Sequence, residues 1–220
     1  LIFAVSSYTK KKLIEYDKDY KVKVINPGVD KNTFKINKTV LRKNNITFVG
    51  NEKKRKGLFY LLKACLEIPP NLIDELTLIG EFSSKVPEMK NLLNQLKKNG
   101  TRIRILSSIS SQELAKFYQE AKVNVLPSQN VKGHFEGFGL IHLEANACGT
   151  LSIGCQNTGN EEAIKEGYGF LVPQKNYIDL SLKIKEILNL KIYPELKVKY
   201  IKSWNNFAKE YEAFWITLKN

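Results

Sequence analysis

Short β-branched runs that each stop at a turn and give way to a helix-patterned stretch recur through the middle of this chain. That alternation restricts the fold more than any other feature. Ile46-Thr47-Phe48-Val49 ends at Gly50, and Leu76-Thr77-Leu78-Ile79 ends at Gly80. Ile103-Arg104-Ile105-Leu106, Val123-Asn124-Val125-Leu126, Leu151-Ser152-Ile153-Gly154 and Gly169-Phe170-Leu171-Val172 follow. Helical patterns over 57–67, 87–98, 110–121, 140–148, 161–166 and 177–190 separate or close them, the third opening on the passable cap Ser110-Ser111-Gln112-Glu113. Six strands alternating with helices predict an α/β fold with a doubly wound, six-stranded, parallel, Rossmann-like sheet. In the commonest order for that layout, 3-2-1-4-5-6, the first and fourth strands are neighbours where the winding reverses, and ligands bind outside their carboxyl ends.

The loop after the fourth strand is the most chemically specific stretch, Gly133-His134-Phe135-Glu136-Gly137-Phe138-Gly139-Leu140. A glycine-rich loop that leaves a buried strand and opens a helix aims backbone N–H groups at one spot, and the helix dipole adds positive charge there. Such a place holds anions. The helix it opens is apolar nearly all round except at Glu144, and a glutamate is seldom buried without a partner. Helical side chains lean toward their own N-terminus, so Glu144 is expected to reach back toward Glu136. The amides would then serve a phosphate and the two carboxylates hydroxyl groups. A solvated edge for both acids is the plainer alternative. The loop after the first strand, 50–57, is basic and also opens a helix. Lys56 is best placed to neutralise a diphosphate, with Arg55 and Lys53 in reserve. A solvated basic turn is the alternative there.

Composition bounds the rest. With 220 residues, 43% hydrophobic and 10% aromatic, the chain can bury one large α/β domain or one domain and part of another. No apolar run approaches the ~20 residues that span a bilayer. The net charge of +13 points to an anionic partner: a phosphorylated substrate, nucleic acid or an anionic membrane surface. Cys65, Cys148 and Cys155 have no metal-ligand spacing, which fits buried reduced thiols in a cytosolic protein. Asp17-Lys18-Asp19 matches a metal-binding Asp-x-Asp signature, but it lies between a lysine-rich helix capped by Ser6-Ser7 and the strand 21–25, so turn acids are the better reading. His134 and His142 are the only histidines, and neither position suits a metal or a general base. The chain begins at Leu1 without a methionine, and the expectation is a piece of something longer. A C-terminal amphipathic helix is expected over the last thirty residues, with Pro194 in its first turn and a stripe of Tyr200, Ile201, Trp204, Phe207, Ala208, Tyr211, Phe214, Trp215 and Leu218. That stripe covers either the core or a further domain.

In order and spacing these residues resemble a known family. Phe48-Val49-Gly50 with Arg55-Lys56-Gly57, Glu136-Gly137-Phe138-Gly139-Leu140 with Leu143-Glu144-Ala145 and Cys148-Gly149, Gly159 with Glu162, and Gly169 to Pro173 look like the nucleotide-sugar-binding half of the retaining glycosyltransferases of family 4, which have the GT-B fold. The resemblance implies metal-independent transfer of a sugar from a nucleoside-diphosphate donor, with no cofactor. It assigns Glu144 to the ribose hydroxyls and Glu136 to the donor sugar. It assigns the amides of Phe138, Gly139 and Leu140, in the loop with Gly137, to sugar and diphosphate, and Lys56 to the diphosphate. It makes residues 1–22 the end of an acceptor domain, 23–190 the donor domain and 191–220 a closing helix. The partners implied are the donor, the rest of the acceptor domain and an acceptor that is a sugar, glycan or lipid-linked group, with peripheral membrane contact compatible with the charge. This chain alone is expected to bind donor without turnover. After Gly50 the family has arginine where this chain has Asn51, so Arg55 or Lys53 takes over the clamp, or the site has become a non-catalytic binding module. Thr158-Gly159 stands for the family's Gly-Gly, and Leu151 for its proline. A nucleic-acid-binding domain ranks last, because no strand face interleaves basic and stacking aromatic residues. The loop Leu106-Ser107-Ser108 would sit near the base.

Overall fold

The computed structural model describes residues 1–82, 86–198 and 201–217. Its main sheet is built from β3 (Lys43–Val49), β4 (Glu75–Ile79), β5 (Ile103–Leu106), β6 (Ala121–Val125), β7 (Leu151–Cys155) and β8 (Gly169–Val172). All neighbours are parallel, in the order β5-β4-β3-β6-β7-β8. This is the predicted order, with β3 and β6 side by side at the switch point.

The two faces of the sheet differ in chemistry. Ile46, Phe48, Leu76, Leu78, Val123, Val125 and Ile153 point one way into the main apolar core with α2 (Leu58–Leu66), α3 (Pro87–Lys98) and α7 (Tyr177–Leu188). The alternate positions, Thr47, Thr77, Asn124 and Ser152, are as deeply buried yet polar. They lie toward α4 (Ser111–Glu120) and α5 (Leu140–Ala147), which pack on each other through a second cluster holding Tyr118, Phe138, Leu143 and Ala145. Hydrogen bonds cross the polar seam. The Asn146 amide donates to the backbone oxygens of Thr150 (2.8 Å) and Tyr168 (2.9 Å), and Thr47 to Asn124 Oδ1 (3.3 Å). Arg42 sits below it, half-buried and with no carboxylate partner among the described residues. Its guanidinium donates to the carbonyls of Tyr118, Ala121 and Cys148 and to the Thr150 hydroxyl, and lies 4.9 Å from the Tyr193 ring.

Local signals hold where they are strong. Ser110 and Glu113 form a reciprocal capping box on α4. Ser6 caps α1 (Ser7–Tyr16), and the Asp17 carboxylate accepts from the Asp19 amide at 3.0 Å, a turn contact. The short helix of the fifth crossover, α6, spans Asn160–Ala163. The three cysteines are buried, and burial pushes each thiol up to about 12.

The C-terminal expectation needs correction. The last helix, α8, spans Trp204–Thr217, and Pro194 lies ahead of it in irregular chain. Tertiary anchors override helical periodicity there. Tyr193 Oη donates to the Lys122 carbonyl and accepts from the Leu151 amide, both at 2.6 Å, Ile201 is buried, and the Val29 amide donates to Lys202 O at 3.0 Å. Tyr200 and Leu218 of the expected stripe fall outside the described residues. Of the rest, Ile201 joins the second apolar cluster ahead of the helix, whereas no residue of α8 itself is buried. Instead Phe3, on β1 (Ile2–Ala4), meets the rings of Tyr211 at 4.5 Å and Phe214 at 5.6 Å. β1 pairs in parallel with β2 (Val22–Val24), so residues on both sides of position 22 share a small second sheet. Among the described residues no helix is long and apolar enough to cross a membrane.

Candidate donor-binding site

The loop after β3 closes as a 3-10 turn over Lys54–Lys56 and ends at Gly57. Gly57 has φ 72°, and a Cβ there would lie 1.8 Å from the Pro127 carbonyl oxygen, so only glycine lets the loop rest on the end of β6. The Gln129 amide then donates to Arg55 O at 2.7 Å. The two loops at the switch point are thus joined through their backbones.

That junction sets three side chains together. Arg55 Nη1 lies 2.8 Å and Lys56 Nζ 2.7 Å from the same oxygen, Glu136 Oε2. Both cations are largely shielded from water, so these charge-assisted bonds are stronger than surface pairs.

The Glu136 loop is also held from its far side. The Gly137 carbonyl accepts from the hydroxyls of Ser6 and Thr9, the latter at 3.1 Å, and the Gly159 amide donates to Glu136 O at 2.9 Å. Glu162 accepts from the amides of Ser7 and Tyr8 at the start of α1 and from Asn26 Nδ2 at 3.0 Å. Tyr8 and Phe135 meet edge to face at 5.5 Å. The start of α1 is therefore clasped onto the Glu136 loop and onto α6, a role that the cap signal at Ser6 did not announce.

Glu144 has a different partner. Its carboxylate accepts from the Tyr118 hydroxyl of α4 at 3.4 Å, and burial pushes it up to about 7 despite that bond. Among the described residues no hydrogen bond joins Glu144 to Glu136. Tyr118 was missed in the sequence, where it reads only as an apolar position of α4. His142, one turn into α5, is buried with both ring nitrogens unpartnered. Burial, reinforced by the Lys56 ammonium, pushes its imidazole down to about 3 and keeps it neutral.

Gly50 ends β3, its amide donating to Ile79 O at 2.9 Å. Asn51 turns inward on its own loop, Oδ1 accepting from the Lys53 amide at 3.3 Å. With Glu81, Phe82 and Ser107 it lines a cavity of about 470 Å3 at the carboxyl ends of β3, β4 and β5. Phe138, Gly139 and Leu140 form the entry to α5, whose first N–H groups have no intrahelical partner. No group of three or more metal-ligating side chains occurs among the described residues.

Known proteins resemble the chain in sequence and in fold. The chain is 29% identical over 215 residues to an uncharacterized glycosyltransferase of Methanocaldococcus jannaschii, covering 96% of this chain and 55% of that protein. It is 30% identical over 181 residues to the D-inositol 3-phosphate glycosyltransferase of Pseudarthrobacter chlorophenolicus, covering 76% of this chain and 42% of that one. The chain thus spans about half the length of the curated relatives it matches. Among solved structures it resembles Anabaena HepE in complex with UDP and glucose, with a TM-score of 0.82 at 17% identity over 99% of this chain and 63% of that one. The fold is that of the C-terminal half of a GT-B glycosyltransferase, as the resemblance implied. The family described as glycosyl transferases group 1 matches residues 29–207, and the chain belongs to it.

Proposed function

We propose that this chain is the donor-binding half of a retaining, metal-independent glycosyltransferase. The observation that carries the reading is the meeting of Arg55 and Lys56 with Glu136 at the switch point, which puts two cations and a carboxylate beside the opening of α5. In this reading Lys56, Arg55 and the amides of Phe138, Gly139 and Leu140 hold the diphosphate, with Gly137 giving close approach. Glu144 receives the ribose hydroxyls, Glu136 faces the donor sugar, and Gly50 and Asn51 frame the loop.

The chemistry then follows from charge. The bond between the anomeric carbon and the diphosphate oxygen breaks, and the leaving group takes the electron pair. Fixed cations and amides stabilise that growing charge. An acceptor hydroxyl attacks the same face of the sugar and gives its proton to the departing oxygen. The acceptor, a sugar, glycan or lipid-linked group, is held by a domain of which residues 1–22 form the end. Residues 23–190 form the donor domain and 191–220 the closing segment. The basic surface suits peripheral contact with an anionic membrane. UDP is the first donor nucleotide to test, because HepE was solved with UDP and glucose.

A thermal-shift panel of UDP, GDP, ADP and their sugars checks this. One nucleotide is expected to stabilise the protein, by about 2.7 kcal/mol at a hundredfold excess over Kd. Glu144→Ala and Lys56→Ala should each reduce that gain. Stabilisation that survives both substitutions removes the site assignment.

A further inference from the structure

The two cations assigned to the diphosphate are already engaged by a carboxylate of the protein. Arg55 and Lys56 both donate to Glu136 Oε2, at 2.8 and 2.7 Å. Glu136 is only 8% exposed, and its loop is pinned by the bonds from Ser6 and Thr9 to Gly137 O and from Gly159 to its own carbonyl. The backbone that carries Glu136 is therefore fixed, and the bonds to Arg55 and Lys56 are what hold its carboxylate in place. A shielded carboxylate shared by two cations is a tightly held arrangement. A diphosphate arriving at Arg55 and Lys56 must take them from Glu136 or share them with it.

We infer that Glu136 acts as an internal anion that competes with the nucleoside diphosphate for Arg55 and Lys56, and so loosens the hold on product relative to donor. The inference rests on the reading of this site as a nucleotide-sugar site. When the ligand carries a sugar, the displaced carboxylate gains hydroxyl groups as new hydrogen-bond donors, which offset the contacts it gave up. When the ligand is the bare diphosphate, nothing replaces those contacts, and the carboxylate returns to its cations. Glu136 is then a specificity-determining residue twice over: it favours the sugar-bearing form on entry and hastens departure of the nucleoside diphosphate after transfer.

The sign of one substitution separates this from an ordinary binding role. Isothermal titration of the protein with UDP and with UDP-glucose, or with whichever of GDP and ADP binds better, gives both affinities for wild type, Glu136→Gln, Glu136→Asp and Lys56→Ala. Glu136→Gln keeps the shape and removes the charge. It should bind the bare diphosphate about tenfold tighter, with slower dissociation, and the sugar nucleotide no tighter than wild type. Glu136→Asp withdraws the charge by one methylene and should give a smaller gain. In a Lys56→Ala background the gain from Glu136→Gln should largely vanish, because one contested cation is gone. Unchanged or weaker binding of the bare diphosphate by Glu136→Gln, with Lys56→Ala still weakening it, overturns the competition and leaves the site reading standing. If Lys56→Ala has no effect on either ligand, the site reading fails and the competition fails with it.

Discussion

A Cβ placed on Gly159 would lie 2.1 Å from the carbonyl oxygen of Gly137, so the loop that follows β7 is seated directly on the backbone of the Glu136 loop. The Gly137 oxygen is the same atom that receives the hydroxyls of Ser6 and Thr9. One backbone carbonyl is thus the meeting point of three chain segments.

Gly159→Ala forces those segments apart. It should cost about 1 to 3 kcal/mol of stability, the usual penalty of overpacking a backbone contact. It should also weaken nucleotide binding, because the displaced residue is next to Glu136. Chemical denaturation and titration of the same sample check both, and unchanged values in both would show that the loops yield freely.

Glu162 holds the start of α1 through the Ser7 and Tyr8 amides. Glu162→Ala should cost about 1 kcal/mol, as the loss of a capping acceptor does. More tellingly, amide hydrogen exchange in residues 7–16 should rise before that of the main sheet. Equal protection of α1 in the two proteins would mean that the Ser6 and Thr9 contacts suffice alone.

Glu144 and His142 should pull stability in opposite directions with pH. The Glu144 carboxyl is raised to about 7 from the ordinary 4.5, so its contribution is full below about 4.5 and is lost as pH rises through 7. The His142 imidazole is lowered to about 3 from 6.5, so its contribution is full above about 6.5 and is lost as pH falls toward 3. Within its window each slope approaches about 1.4 kcal/mol per pH unit, and between pH 4.5 and 6.5 the two largely cancel. Melting curves of Glu144→Gln should therefore gain on wild type as pH rises from 4.5 to 7. Those of His142→Leu should gain as pH falls from 6.5 to 3. A difference that stays flat across the window removes the assignment for that residue.

The half-buried Arg42 guanidinium donates to three carbonyls and a hydroxyl. Arg42→Met fills much of the volume and strips a donor from the Ala121 and Cys148 carbonyls, while the Tyr118 carbonyl keeps the Thr150 hydroxyl and the Ala121 amide. A loss of about 2 to 4 kcal/mol is expected, two carbonyls at about 1 to 3 kcal/mol each less some relaxation. A urea denaturation midpoint shifted by much less would show that the acceptors find other partners.

The sheet order was legible because the signals that carry it are local. Gly50 and Gly80 mark strand ends, and Ile46-Thr47-Phe48-Val49 is too short and too β-branched for a helix. The adjacency of the Lys56 and Glu136 loops followed from that order alone. The clasp of α1 was not legible, since Thr9 and Gly137 are 128 residues apart and nothing near Thr9 hints at its partner. Tyr118 was hidden for the same reason: an aromatic on a helix reads as core until its hydroxyl is seen against Glu144. Pro194 misled because a residue suited to a first turn was outweighed by Tyr193, which ties the chain to β6 and β7. Asn51 was visible as a departure, but only the coordinates place its side chain on the Lys53 amide.

The polar seam beneath α5 has a further consequence for how the site is measured out. A helix resting on greasy side chains can slip by a fraction of a turn at little cost, since such contacts have no direction. Asn146 instead grips two carbonyls on different segments, at 2.8 and 2.9 Å. Sliding α5 along its axis would release both together. The interval from the glycine turn to Glu144 is thereby indexed like a notch on a scale, and the reach of any ligand lying between them is set by amide geometry.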